Sequence, residues 1–172
     1  MTGSVLLFLT LRALHVLLAA AWFGALLFTT LYLGPALDEA GPSGGQLMTI
    51  MMRRGLHKYM ASIGGLTIVI GFVLFFRLTG DPAFAASHRG MAISAGALAG
   101  IIALILGGSM IGGSAKKLSA LSLKMGSLPE GAERAAAIKT MGVLRARLAL
   151  FSKIVSALLF FSMVTMALAH LV

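Results

Sequence analysis

Four apolar runs dominate this chain: Val5 to Leu33, Tyr59 to Leu78, Arg89 to Gly113 and Leu148 to Leu171. A helix rises about 1.5 Å per residue, so each run is long enough to cross a hydrocarbon core about 30 Å thick. Within such a core the backbone has no water to bond to and must satisfy itself, which an α-helix does. The expected fold is therefore all-α. It is a polytopic integral membrane four-helix bundle, a single membrane domain over residues 1–172, with spans at about 5–33, 59–78, 90–113 and 148–171. Composition agrees, because 59% of residues are hydrophobic and only 11% are charged. A soluble domain carries about 25% charged residues.

The first run exceeds the apolar stretch of about 7–15 residues found in a secretory signal peptide, so it reads as a retained span. Gly34-Pro35 follows it, and Pro35 is expected to stop or kink the helix. Residues Asp38 to Gly45 form a turn-rich connector. Gln46 to Lys58 is amphipathic, with Met48, Met51 and Met52 among Arg53, Arg54 and Lys58, and is expected to lie at the interface and run directly into the second span. The connector Thr79 to Ser87 is short. In the third run Ala92, Gly96, Gly100, Ala103 and Gly107 recur at spacings of three and four. That spacing puts them on one face, where a neighbouring helix approaches closely in lipid. Ser114 to Arg147 is polar, and Gly126 to Gly131 reads as a break between two helical arms.

Basic residues set the orientation. Arg53, Arg54 and Lys58 sit in the first connector. Lys116, Lys117, Lys124, Arg134, Lys139, Arg145 and Arg147 sit in the third, with Lys153 beside them. Only Arg12, Arg77 and Arg89 lie toward the opposite side. Cytoplasmic loops carry the excess of Lys and Arg. The first and third connectors are thus expected inside, with basic helical extensions there, and both termini outside. The expected location is a bacterial cytoplasmic (inner) membrane. The net charge of +9 points to anionic lipid headgroups as partners. No RNA- or DNA-binding motif accompanies it, so nucleic acid is not an expected partner. There is no cysteine, which removes disulfides, thiolate metal sites and cysteine nucleophiles.

Ionisable residues within spans are functional candidates by default. Arg12 and His15 are three apart on the first helix, and Ala19 and Trp22 extend that face. A neutral imidazole binds metal or haem iron and moves protons. His88 and His170 belong to the same side of the membrane as His15. Met163 and Met166 share a face with His170, and Met91 follows His88 by three. Imidazole with thioether suits copper(I), and imidazole alone or with methionine suits haem iron. The plainer readings stand beside these. Methionine fills apolar cores, His170 and His88 are solvated or interfacial, and His57 in its basic cluster meets headgroups. The five acidic residues Asp38, Glu39, Asp81, Glu130 and Glu133 all lie in connectors, which gives hydrolytic chemistry no footing.

Leu14-His15-Val16, Trp22-Phe23-Gly24 and Tyr32-Leu33-Gly34-Pro35 together resemble the first helix of two related groups, the HemJ-type protoporphyrinogen oxidases and the copper-resistance D-type (CopD) membrane proteins. Met52 to Tyr59 resembles the basic opening of the second HemJ helix. Leu144-Arg145-Ala146-Arg147 is similar to the start of that family's last helix. The resemblance implies a four-helix bundle holding haem b, with His15 at the position of the family's first-helix histidine. Its CopD side implies copper handling. A protoporphyrinogen-oxidase-like activity is the enzymatic expectation. HemJ-type proteins also use a lysine on the third helix, and here Arg89 is the only basic residue of that span. The cofactor-binding candidates are His15, Arg12 and Trp22. The metal candidates are His15, His170, His88 and Met166. The alternative expectation is an accessory subunit of a larger membrane complex, or a homo-oligomer, with no cofactor of its own. A transporter ranks below both, since the spans hold no Asp or Glu.

Overall fold

A computed structural model of the chain describes residues 3–169 and 171, and all regular structure among these is helical. Four helices are long and apolar enough to cross a membrane. The first runs from Gly3 to Glu39 (α1 Gly3–Phe28, a π-helical turn Thr29–Leu33, then α2 Gly34–Glu39). A short α3 follows (Pro42–Arg53), then α4 (Leu56–Thr79) and the one-turn α5 (Pro82–Ala86). α6 (His88–Leu106) continues through a second π-helical turn, Gly107–Gly112, into α7 (Gly113–Lys124). A 3₁₀ turn at Met125–Ser127 leads to α8 (Ala132–Leu168).

Pro35 neither stops nor breaks the first helix. It has no N–H to give, and its ring would crowd the carbonyl four residues back. The widened turn before it relieves that crowding. There Gly34 N–H donates to Thr29 O, five residues back, the bond of a π-helix. A Cβ on Gly34 would lie 3.1 Å from the same oxygen.

The amphipathic helix does not run directly into the second span. Gly55, at φ +96°, adopts a left-handed conformation that ends α3 and redirects the chain into α4. Only glycine takes that conformation without strain. The polar segment forms two helical arms with the break where its glycines predict. α7 continues the third span, and α8 joins the second arm and the fourth span in one helix of 37 residues. The break falls at the 3₁₀ turn and at Gly131.

α1 packs most extensively on α4, and α6 on α8, while α1–α8 and α4–α6 contacts close the ring. The core is Trp22, Leu26, Ile63, Ala103, Val155 and Leu159. Of the small-residue face of the third span, Gly96, Gly100 and Ala103 are buried, with Ala99 beside them, while Ala92 and Gly107 are half-buried. Ser162 Oγ on α8 donates to Gly96 O at 2.7 Å. Large apolar side chains cover the outside, with Leu17 and Phe76 each 68% exposed. Water would strip such a surface of its stability, whereas lipid tails match it.

Beyond the apolar section, α7 and the first half of α8 pack together, burying Ala137, Leu144 and Ser114. α3 also contacts α7. Arg145 on α8 lies 3.8 Å from Asp38 on α2, and Arg134 pairs with Glu130. All these side chains are substantially exposed, so each pair contributes about 0–1 kcal/mol.

Candidate functional site at the interface of α1 and α4

Two large rings on α1 seat on two glycines of α4. A Cβ on Gly64 would lie 2.9 Å from Trp22 Cε2, and one on Gly71 would lie 2.9 Å from His15 Cε1. Only glycine leaves room for both rings at that approach. The pairs are seven residues apart on each helix and run in opposite directions, so α1 and α4 are antiparallel. Two turns of helix on each side carry the same register.

Between the two seats lies Thr67. Its carbonyl oxygen is 2.9 Å from His15 Nδ1. A carbonyl can only accept, so Nδ1 carries the proton and donates. In the neutral ring that leaves Nε2 with its lone pair, a ligand or a base. Thr67 is itself buried, and its hydroxyl donates to Ile63 O at 2.7 Å. The imidazole is therefore fixed by a hydrogen bond on one atom and by the Gly71 surface against its ring.

The depth of His15 follows from the same register. Arg77 lies six residues beyond Gly71 on α4, which puts His15 about 9 Å inward of the Arg77 level. Arg12 lies about 4.5 Å inward. Its side chain is exposed, and it lines an open groove with Leu9, Ala13, Val16 and Leu17, all on α1.

The other sequence candidates are dispersed. Trp22 is 5% exposed and packs on Gly64, which Leu104 also approaches. It is a core residue at this interface. Met166 packs its Cγ where a Cβ of Gly96 would come within 2.9 Å, so it fills the α6–α8 contact. His88 is exposed in the first turn of α6, which Ser87 caps by accepting from Gly90 N–H at 3.1 Å. Next to it, Arg89 lies over the Phe84 ring, 5.8 Å from its centroid. His170 lies outside the described residues. His57 is half-buried, and its Nδ1 is buried without a hydrogen-bond partner among the described residues. Among the described residues no three His, Asp or Glu side chains converge as a metal-holding group.

Sequence reasoning found His15 but missed Thr67, Gly64 and Gly71. One signal for the glycines was available, since Gly64 and Gly71 repeat the seven-residue spacing of His15 and Trp22. The carbonyl of Thr67 left no signal, because every residue carries the same group and only the facing helix singles one out. Comparison with protein-family models, with curated proteins and with solved structures gave no match to this chain.

Proposed function

We propose that the protein is a small multi-pass component of a bacterial inner membrane that binds haem b or copper through His15. Both termini and His15 face the non-cytoplasmic side in this reading, and the basic arms face the cytoplasm and its anionic headgroups. The observation that carries the proposal is the Nδ1–H bond from His15 to Thr67 O. It directs the free lone pair to Nε2 and holds the ring, as metal-ligating histidines require.

A neutral imidazole nitrogen of this kind could hold a haem iron or contribute to a copper(I) site, and His15 is the residue that would supply it. Bound there, haem would supply electron transfer and copper would supply one-electron chemistry or cargo binding. The chain contributes the nitrogen left with its lone pair and the glycine surface against the ring. The resemblance of the first helix to HemJ-type and CopD proteins supports the same residue. The positive-inside distribution supports the orientation, since every Lys and Arg except Arg12, Arg77 and Arg89 lies toward the arms.

The test is an absorption spectrum and a copper determination on the purified full chain, before and after reconstitution with haem or copper(I). The expected result is a Soret band or stoichiometric copper that His15→Ala removes. Neither signal in the wild type, or either one unchanged in His15→Ala, overturns the proposal and leaves the accessory-subunit reading.

A further inference from the structure

We propose that Arg12 binds the phosphate of an anionic phospholipid, whose acyl chain lies along the groove of Leu9, Ala13, Val16 and Leu17. This rests on reading the long helices as membrane spans and is independent of any cofactor at His15. The groove lies at the end of the bundle opposite the basic arms, so its lipid belongs to the other leaflet from theirs.

Position comes first. Phe23 on α1 meets Phe160 on α8, with ring centroids 6.4 Å apart. These two helices are also antiparallel, so the last residue of α8, Leu168, is level with His15. The turns of α1 that carry Leu9 and Arg12 extend past the end of the α8 helix. They keep α4 as a neighbour on one side and present Leu9, Ala13, Val16 and Leu17 on another.

Charge comes second. Arg12 has no ion-pair partner among the described residues. The only acidic side chain toward the Arg12 end of the bundle is Asp81, and its carboxylate accepts from Ala83 N–H at 2.9 Å as the cap of α5. A guanidinium cannot shed its charge, and charge within hydrocarbon is costly. At about 4.5 Å inward of the Arg77 level, its side chain is long enough to reach the headgroups. There a phosphate offers two oxygens to the planar fork. The four apolar groove residues then take the chain that hangs from that phosphate. A zwitterionic phospholipid offers the same phosphate and chains but adds a cationic group that repels the guanidinium, so the net charge of the headgroup is what favours an anionic lipid.

The test uses the full chain in nanodiscs of equal phosphatidylglycerol and phosphatidylcholine, with retained lipids counted by native mass spectrometry. The basic arms hold phosphatidylglycerol in every variant, so the readout is the difference from wild type. Arg12→Gln should retain one phosphatidylglycerol molecule fewer. Arg12→Lys should weaken its retention, because the ammonium lacks the bidentate fork. Ala13→Trp, which fills the groove and keeps the charge, should expel the same lipid. Arg89→Gln should change nothing, since Arg89 already lies over Phe84. Wild-type retention in both Arg12→Gln and Ala13→Trp overturns the proposal. So does an Arg12→Gln protein that loses haem or copper but keeps its lipid, for then Arg12 serves the cofactor. If Arg12→Gln does not fold, the Arg12→Lys and Ala13→Trp counts decide.

Discussion

At the scale of single residues, the site is a histidine held by a backbone carbonyl and a missing side chain. Gly71 matters for what it lacks. A Cβ there would press on His15 Cε1 at 2.9 Å and approach Nδ1 to 3.4 Å. The imidazole can move, because it is carried on a rotatable stem. Moving it lengthens the 2.9 Å bond to Thr67 O. Gly71→Ala should therefore destabilise the protein by about 1–3 kcal/mol, the usual range for overpacking. In the cofactor reading it should also weaken binding at Nε2 and shift the spectrum of what remains. Thermal unfolding in detergent and an optical titration measure the two effects. An unchanged melting temperature together with unchanged binding would mean that the ring does not depend on this seat. The histidine itself was legible, because an ionisable residue in an apolar run stands out. Its supports were not, because a carbonyl and a glycine acquire meaning only when the facing helix is known.

Among the elements, adjacent glycines on one helix make opposite demands. Gly64 and Gly65 both lie in α4. A Cβ on Gly64 would meet Trp22 at 2.9 Å and 3.0 Å and Leu104 at 3.2 Å, whereas one on Gly65 meets nothing within 4 Å. Gly64→Ala should cost about 1–3 kcal/mol, since the indole and its neighbours are packed. Gly65→Ala should be neutral or stabilise by up to about 1 kcal/mol, because it removes backbone freedom from the unfolded chain at no steric cost. Unfolding measured side by side in the same detergent checks the contrast. Two equal effects would show that the α1–α4 contact is looser than these distances. The elements were largely legible: four apolar runs became four long helices, and the small-residue face of the third became the buried face of α6. Their ends were less so. Pro35 was read as a stop or a kink because a proline removes an α-helical hydrogen bond, yet the helix continues to Glu39 through one π-helical turn. The helix of residues 46–58 was read as running directly into the second span, yet Gly55 turns left-handed between them. In each case a backbone option open to a few residues decided the outcome, and hydropathy does not record it.

For the molecule as a whole, the strongest contrast is between its two ends. α7 and the first half of α8 pair outside the apolar section and carry half of the basic residues, while the connector with α5 is short and lightly charged. Each Lys or Arg near an anionic surface is worth about 1 kcal/mol, so the arms bias insertion strongly toward the side that holds such lipids. The absence of cysteine makes this testable without background. Ala86 at the end of α5 and Ser127 in the 3₁₀ turn are both exposed. In intact cells a membrane-impermeant maleimide should label Ala86→Cys and leave Ser127→Cys untouched until the membrane is opened. The reversed pattern would place His15 and Arg12 on the cytoplasmic side, and with them the leaflet that supplies the lipid of Arg12. The lipid count itself would stand, because it depends on the groove and the guanidinium rather than on which side faces out. Labelling of both cysteines in intact cells would mean that the two ends share a compartment, which helices crossing the bilayer four times do not permit.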